Sequence, residues 1–267
     1  MYPKLISIGG FFLPSYGLLV ALGFLAALWM TGRLARRSGL NPELVTNAGV
    51  YAALAGLAGA KLLMFALDVN YYRERPGEIF SLSTLMAGGV FHGGLVAAVA
   101  VALLYAKSKG LPGWAMADTF APGLALGHGI GRIGCFAAGC CWGKLCDRAW
   151  AVTFTDPEAN RLVGVPLGVA LHPTQLYEAA AEAAIFPLLY WFFGRAHRSG
   201  AVIGLYLALY STARFGLEFF RDHQQPNLWG GPLTATQWIS LALLAAGLWL
   251  CARSQTAATT EKLKPGS

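Results

Sequence analysis

The sequence begins with an uncharged stretch, LISIGGFFLPSYGLLVALGFLAALWMTG at residues 5–32, and this stretch decides the fold class. A helix that crosses the hydrocarbon core of a bilayer needs about 20 consecutive apolar residues. The stretch is longer than the apolar core of a signal peptide, and Lys4 is the one charged side chain before it. We therefore expect a retained transmembrane helix at the start of the chain.

The composition of the whole chain agrees with a membrane setting. Only 12% of the 267 residues are charged and the mean hydropathy is +0.51, whereas a soluble domain carries about 25% charged residues. We therefore predict an all-α integral membrane protein whose residues 1–253 form one domain. Further apolar runs predict six more transmembrane helices, at 46–67, 86–106, 116–134, 174–193, 201–219 and 234–252.

Basic residues in the connecting loops predict the orientation of the seven helices. They follow the first, third, fifth and seventh helices: Arg33, Arg36, Arg37, Lys107, Lys109, Arg195, Arg198, Arg253, Lys262 and Lys264. The positive-inside rule makes these loops cytoplasmic, so that the N-terminus lies outside and the C-terminus inside. Because topology accounts for the net charge of +7, we expect no nucleic-acid partner.

Two segments outside the predicted helices stand apart. Residues 135–173 are long for a connection, so we expect a small external head there, between helices four and five, with a short strand within Trp150 to Thr155. Residues 254–267 are polar and predict a disordered cytoplasmic tail.

Ionisable side chains within or beside the apolar runs predict a functional site. Each costs about 2.5–3.5 kcal/mol in the centre of a bilayer unless it has polar surroundings. They are Lys61, His92, Asp118, His128, Arg132, Glu178, Glu182, Arg214, Glu218 and Arg221. A shared polar cavity would lower this cost, and a structural network of ion pairs is the alternative interpretation, above all for Glu218.

Arginine and histidine indicate what the cavity would bind. Arg214, Glu218 and Arg221 share one helix face, and we expect them to pair with groups on other helices because an arginine before a glutamate is the weaker order for a local pair. Guanidinium groups bind phosphate in a bidentate manner, so two or three of them facing lipid indicate an anionic phospholipid. A histidine such as His92 can accept a proton from a thiol near neutral pH.

Glycines lie next to these candidates. The segment GIGRIG at 129–134 matches the G-x-G-x-x-G pattern, but dinucleotide binding requires a preceding strand, which is not predicted here. Small residues around Arg132, and those in FHGG at 91–94, instead leave room for a lipid head group. Two further sets predict close helix packing: Ala52, Gly56 and Ala60 in one helix, and Gly127 with Gly131 in another.

Taken together, these motifs resemble those of the bacterial prolipoprotein diacylglyceryl transferase family over about residues 11–253. The resemblance is carried by SYG at 15–17, FHGGL at 91–95, GRIG at 131–134, WG at 142–143, HPTQLYE at 172–178, and Arg214-Phe followed by EFFR at 218–221. Each motif is short, but their order along seven predicted helices is specific.

The resemblance implies a multi-pass enzyme of the bacterial inner membrane with its active site toward the outer leaflet. Such an enzyme takes phosphatidylglycerol from the bilayer and transfers the diacylglyceryl group to the lipobox cysteine of a preprolipoprotein. A thioether forms and glycerol-1-phosphate leaves, without a metal or an organic cofactor.

The resemblance also implies roles for individual residues. Catalytic roles fall to Tyr16, His92, Arg132 and Arg214, with His92 as the expected base and Tyr16 or an arginine-activated thiol as alternatives. The implied substrate-binding residues are Gly93, Gly94, Gly131, Arg132, Gly134, His172, Gln175, Tyr177, Glu178, Arg214, Glu218 and Arg221.

One segment departs from the family pattern. The usual GRxGNFxNGE reads GRIGCFAAGC at 131–140, so Cys135 replaces an asparagine and Cys140 an acidic residue. With Cys141 and Cys146 these residues form an external group in which disulfides are allowed, for example between Cys140 and Cys146. No two of the four have C-x-x-C spacing, so no metal is predicted.

The cysteines and the buried charges leave three alternatives open. The chain could be a divergent paralogue with another acceptor, or a thiol-redox membrane enzyme that uses the external cysteines. A transporter would also use charges within the membrane, although no internal repeat of the kind typical of transporters is evident.

Overall fold

The computed structural model describes residues 4–8, 11–81, 84, 89–222 and 231–262, and the protein is mostly helical. The helices are α1 Ser15–Arg37, α2 Pro42–Leu67, α3 Val69–Glu74, α4 Phe91–Ser108, α5 Gly113–Ala138, α6 Pro157–Val163, α7 Thr174–Phe193, α8 Ala201–Leu217 and α9 Ala235–Lys262. Two short 3-10 helices cover Pro76–Phe80 and Glu218–Phe220. The strands are β1 Lys4–Ile8, β2 Phe11–Pro14, β3 Val152–Thr153 and β4 Ala170–Leu171.

The predicted membrane character is confirmed. Four helices are long and apolar enough to cross a membrane: α1, α2, α4 and the part of α9 from Ala235 to Arg253. Helices α5, α7 and α8 coincide with the other three predicted spans. The protein is therefore polytopic, with at least four candidate spans, and the total of seven remains a prediction.

The prediction of one helix from residue 5 onward is wrong at its start. Strands β1 and β2 pair antiparallel, and α1 begins only at Ser15. Pro14 explains the boundary, because proline removes a backbone donor and favours an extended residue before it. Lys4 lies 2.7 Å from Glu158 on α6, which ties this hairpin to the 135–173 segment.

Backbone contacts divide the chain into two units, Gly32–Met116 and the remainder. In the Gly32–Met116 unit, α2 packs closely on α4. A Cβ at Gly59 would lie 2.6 Å from the Gly93 carbonyl oxygen, and one at Gly94 would lie 2.8 Å from the Gly56 oxygen. The packing role predicted for Gly56 is confirmed, and the glycines after His92 also serve helix packing.

The other unit contains Met1–Thr31 and Ala117–Ser267. Helix α1 crosses α5 where Gly23 and Gly127 meet, since a Cβ on Gly127 would lie 2.7 Å from the Gly23 carbonyl oxygen. Gly131 was predicted to pack in the same way, but a Cβ there would meet no atom within 4 Å. Open space therefore lies beside Arg132.

One of the predicted intramembrane charges has a structural role. The Asp118 carboxylate accepts hydrogen bonds from the backbone nitrogens of Gly200, at 2.7 Å, and Ile203, at 2.9 Å. These are donors at the start of α8, which have no partner within the helix. Asp118 therefore stabilises the N-terminus of α8.

Residues 135–173 contain a small structure of their own. Strand β3 pairs antiparallel with β4, which confirms the predicted strand, and Phe154, Ala159, Val165 and Leu171 form a buried cluster. At the other end of the chain, the backbone of α9 continues to Lys262, through part of the stretch predicted to be a disordered tail. Residues 263–267 lie outside the described residues.

Candidate active site

Two helices of the larger unit present complementary polar side chains to each other. His128 and Arg132 are four residues apart on α5, and Glu178 and Glu182 are four residues apart on α7. Residues at this spacing share a helix face. Arg132 Nη2 lies 3.0 Å from Glu178 Oε1, and His128 Nδ1 lies 2.7 Å from Glu182 Oε1.

A hydrogen-bonded chain fixes the Arg132 guanidinium. Arg132 Nε donates to His128 Nε2 at 3.2 Å. An imidazole nitrogen that accepts a hydrogen bond carries no proton, so the donor of this ring is Nδ1, which faces Glu182. His128 therefore links Arg132 to Glu182 and helps to fix the orientation of the guanidinium.

Tyrosines of α8 complete the partners of the two carboxylates. Tyr210 donates to Glu178 at 3.0 Å, and Tyr206 donates to Glu182 at 3.3 Å. The residues Glu178 and Glu182 are only 1% and 0% exposed, and buried carboxylates persist only with such partners. Among the residues that the structure describes, none donates to the second oxygen of Glu182.

The second arginine forms a local pair. Arg214 Nη1 contacts Glu218 Oε2, and Glu218 Oε1 accepts a hydrogen bond from Thr234 at 2.8 Å. The expectation that this face would pair with other helices is therefore wrong for Arg214. Arg214 and Glu218 are spaced i, i+4, so a local pair is within reach even though an arginine before a glutamate is the weaker order. Tyr210 is in electrostatic range of both Arg132 and Arg214, so the two arginines lie in the same region of the larger unit.

The last turn of α5 and the loop after it bring three thiols together beside Arg132. Gly139 and Cys141 have φ angles of +81° and +60°, and the second is a conformation that residues other than glycine rarely adopt. The sulfur atoms of Cys135, Cys140 and Cys141 lie within 4.8 Å of one another. The cysteines are free thiols, and Cys146, named above as a partner for Cys140, is buried outside this group. We refer to the three residues as the thiol cluster.

The start of α7 holds this loop in place. Thr174 donates to the carbonyl oxygen of Cys141 at 2.7 Å, and the Gln175 amide donates to that of Cys140 at 2.5 Å. The backbone nitrogen of Gly143 donates to the His172 carbonyl at 3.0 Å. The HPTQ motif therefore positions the loop, whatever contacts it also makes to substrate.

Two arginines act on the thiol cluster. Arg132 Nη1 lies 4.0 Å from Cys135 Sγ. Hydrogen bonds from Cys135 and Cys140 lower the pKa of the Cys141 thiol, and the charges of Arg221 and Arg132 act in the same direction. Hydrogen bonds with Cys135 and Cys141 raise the pKa of the Cys140 thiol, so a negative charge in the cluster is favoured on Cys141.

The remaining predicted residues lie in three places. Tyr177 accepts a hydrogen bond from Trp150 at 2.8 Å and lies 3.0 Å from His172, which joins α7 to the 135–173 segment. Gly134 packs on the backbone of Tyr16, which is 46% exposed. His92 belongs to the Gly32–Met116 unit, at the exposed first turn of α4, so the site described here is built without it.

Sequence reasoning named His128 and Glu182 among the charges that predict a functional site but gave them no individual role, and it did not name Tyr206 or Tyr210. A usable signal was present. One apolar helix carries a histidine and an arginine four residues apart, and another carries two glutamates with the same spacing. Such a pattern indicates that the two helix faces pack together and neutralise each other's charges.

These features define the class of the molecule: a polytopic membrane protein with a buried arginine–carboxylate centre beside a thiol-rich loop. The sequence model of the family described as "Prolipoprotein diacylglyceryl transferase" matches residues 3–253. The chain belongs to that family, as its motifs predicted, and is a transferase.

Curated relatives agree with the family match. A protein named phosphatidylglycerol–prolipoprotein diacylglyceryl transferase from Solidesulfovibrio magneticus is 38% identical, with 94% of both chains covered. The protein of the same name from Clostridium tetani is 32% identical, over 94% of this chain and 96% of its own. That of Vibrio vulnificus is 35% identical, over 94% and 90%.

Proposed function

We propose that this chain transfers the diacylglyceryl group of phosphatidylglycerol to the lipobox cysteine of preprolipoproteins, forming a thioether and releasing glycerol-1-phosphate. Family membership and the shared name of full-length relatives support this activity. The transferase family match favours it over the thiol-redox and transport alternatives.

The geometry of Arg132 is the observation that carries the proposal. Glu178 and His128 hold its guanidinium on two sides, while Nη1 points away from both toward the thiol cluster. The adjacent Gly131 leaves space for a head group. A fixed guanidinium at the edge of such a space suits the phosphate of an anionic lipid.

The proposed reaction is a displacement at carbon. The sulfur of the acceptor cysteine forms a bond to the terminal glyceryl carbon, and the bond between that carbon and the phosphate oxygen breaks. The electron pair stays on the phosphate, which gains negative charge, and the thiol proton passes to a base, for which His92 and Tyr16 are the candidates. Arg132 and Arg214 would stabilise the leaving phosphate in a medium of low dielectric constant.

Several finer assignments belong to the same proposal. The chain would form one domain over residues 1–253 with seven transmembrane helices in the bacterial inner membrane, its N-terminus outside and its C-terminus cytoplasmic. The 135–173 segment would then be the external head, and the site would open toward the outer leaflet. Substrate contacts are proposed for the glycine, arginine and HPTQLYE residues named above.

The test is a transfer assay with defined substrates. Purified protein in detergent is incubated with phosphatidylglycerol and a synthetic lipobox peptide, and the peptide is weighed by mass spectrometry. We expect a diacylglyceryl mass increment that is lost with Arg132→Ala and with a peptide carrying serine in place of cysteine. An increment on the serine peptide, or none on the cysteine peptide from folded protein, would contradict the proposal.

A further inference from the structure

We propose that Cys135, Cys140 and Cys141 form a zinc site whose fourth position binds the acceptor cysteine as a thiolate. The identity of the acceptor rests on the proposed function. The spacing of the cysteines predicted no metal, because none of them stand in C-x-x-C order, but the fold brings three together without that spacing.

The distances suit a zinc ion. Zinc–sulfur bonds of about 2.3 Å in tetrahedral geometry place the sulfur atoms about 3.8 Å apart. The three sulfur atoms of the thiol cluster already lie within 4.8 Å of one another. Cys140 and Cys141 are only half-buried, and zinc binding would require their side chains to rotate so that the sulfur atoms approach by up to about 1 Å.

The backbone around the thiol cluster is built to hold this arrangement. Cys141 keeps a left-handed conformation that is unfavourable for its type. The carbonyl oxygens of Cys140 and Cys141 are held by Gln175 and Thr174, which are 1% and 2% exposed. Such outer contacts orient metal ligands in known sites.

Three ligands leave the ion a free position. A structural zinc site uses four protein ligands, whereas a catalytic site uses three and leaves the fourth for water or substrate. In the described part of the chain, the group of potential ligands consists of these three cysteines alone. Soft thiolate ligands select zinc or copper(I) rather than magnesium or calcium. Zinc is ordinarily tetrahedral, so a zinc ion held by three cysteines can bind a fourth ligand.

The surrounding charges favour the complex. Three thiolates and one zinc ion carry a net charge of −1, and an added acceptor thiolate makes it −2. Arg132 lies 4.0 Å from Cys135, and Arg221 is in electrostatic range of Cys141. These two guanidinium groups offset the charge and stand where the leaving phosphate would also need them.

Zinc would activate the acceptor thiol in place of the general base considered above. Coordination converts the acceptor thiol into a bound thiolate, and its proton leaves to water. The sulfur then forms its bond to the glyceryl carbon as the carbon–oxygen bond breaks, so the ion undergoes no redox change.

Metal analysis of the full-length protein tests the site without reference to activity. Protein purified in detergent without chelators should contain about one zinc ion per chain, and replacement by cobalt(II) should give sulfur-to-cobalt charge-transfer absorption. C140S and C141S should each lose the metal and the absorption, while C251S, outside the thiol cluster, should keep both. A metal-free protein with intact thiols, or with a disulfide among the three, would overturn the proposal.

The role of the fourth position has its own test. The lipobox peptide should change the cobalt spectrum, and the serine peptide should leave it unchanged. C140S should slow transfer about 10- to 100-fold, because a free thiol is only a few per cent ionised near neutral pH. If wild-type protein transfers at an unchanged rate after complete removal of zinc, the inference is refuted and the proposed function stands. If a zinc-loaded protein binds the peptide but does not transfer the lipid group, the proposed function alone is refuted.

Discussion

A guanidinium that binds a phosphate works best when its orientation is set before the lipid arrives. Arg132 meets this condition, because Glu178 and His128 hold two sides of its fork, while the third side, Nη1, faces the thiol cluster. A lysine has the same charge but presents a single point of contact. The shape of the side chain, and not only its charge, should therefore matter at this position.

Arg132→Lys should lower kcat/KM for transfer about 100-fold or more, because the amine cannot keep both partners and also meet the phosphate. The measurement is the initial rate of peptide lipidation over a range of phosphatidylglycerol concentrations. Arg161→Lys is the matched control, since Arg161 pairs with Glu158 on an exposed surface. Equal rates for the two variants would contradict the role of Arg132.

His128 should behave as a positioning residue coupled to Glu182. His128→Ala leaves the Glu182 carboxylate buried without its closest partner, which costs about 3–5 kcal/mol for such pairs. We expect a melting temperature in detergent lower by about 5 °C or more, and partial recovery when Glu182→Gln is added. Losses that simply add in the double variant would show that the two residues act independently.

At this scale, sequence predicted the identity of the main arginines but not their partners. Arg132 and Glu178 were both named, and the structure joins them. Their contact could not be deduced, because it depends on how α5 and α7 are rotated. The local pairing of Arg214 was missed for a different reason, because the weaker order of arginine before glutamate was taken to disfavour a pair that its i, i+4 spacing allows.

Among the elements, α2 and α4 show how glycine allows helices to approach. Their backbones come so close that a methyl group at Gly59 or Gly93 would overlap the opposite chain. In lipid, where no hydrophobic force drives helices together, such close packing supplies much of the attraction.

Gly93→Ala should therefore destabilise the protein by about 1–3 kcal/mol, as overpacking does in a well-filled contact. Thermal unfolding followed by size-exclusion chromatography in detergent would measure the loss. Gly113→Ala serves as the control in the same unit, because a Cβ at Gly113 would meet no atom within 4 Å. If both variants melt with wild-type protein, the α2–α4 contact is looser than described.

Element boundaries were predicted where composition changes sharply and missed where it does not. The ends of α4 and α7 lie close to the predicted spans because charged or glycine residues follow them. The hairpin before α1 was missed because its strands are apolar like the helix, and the breaks in the pattern, Gly9-Gly10 and Pro14, were not interpreted as a turn and a helix boundary.

For the whole molecule, membrane class and family followed from low charge and the order of the motifs. The predicted orientation of the spans depends on the charges of the loops. These charges act while the chain inserts into the membrane, and the folded backbone does not record their effect. The number of spans and their direction therefore require a topological experiment.

A reporter that is fluorescent only in the cytoplasm should be active when fused after Arg253, and a reporter that is active only outside should be active when inserted beside Asp147. The reason is the excess of arginine and lysine in the loops predicted to be cytoplasmic. Asp147 is suitable because its side chain is 92% exposed. The opposite pattern would invert the proposed topology and place the thiol cluster on the cytoplasmic side.

The half-buried thiols of Cys140 and Cys141 also have a consequence for selective inhibition. Family members with the common GNFxNGE segment carry an amide and an acidic side chain where this chain has Cys135 and Cys140. A mild electrophile attached to a lipid-like scaffold would find a nucleophile next to Arg132 only in the cysteine-bearing form. The loop therefore offers a site at which a covalent inhibitor would act on this chain and spare family members with the common segment.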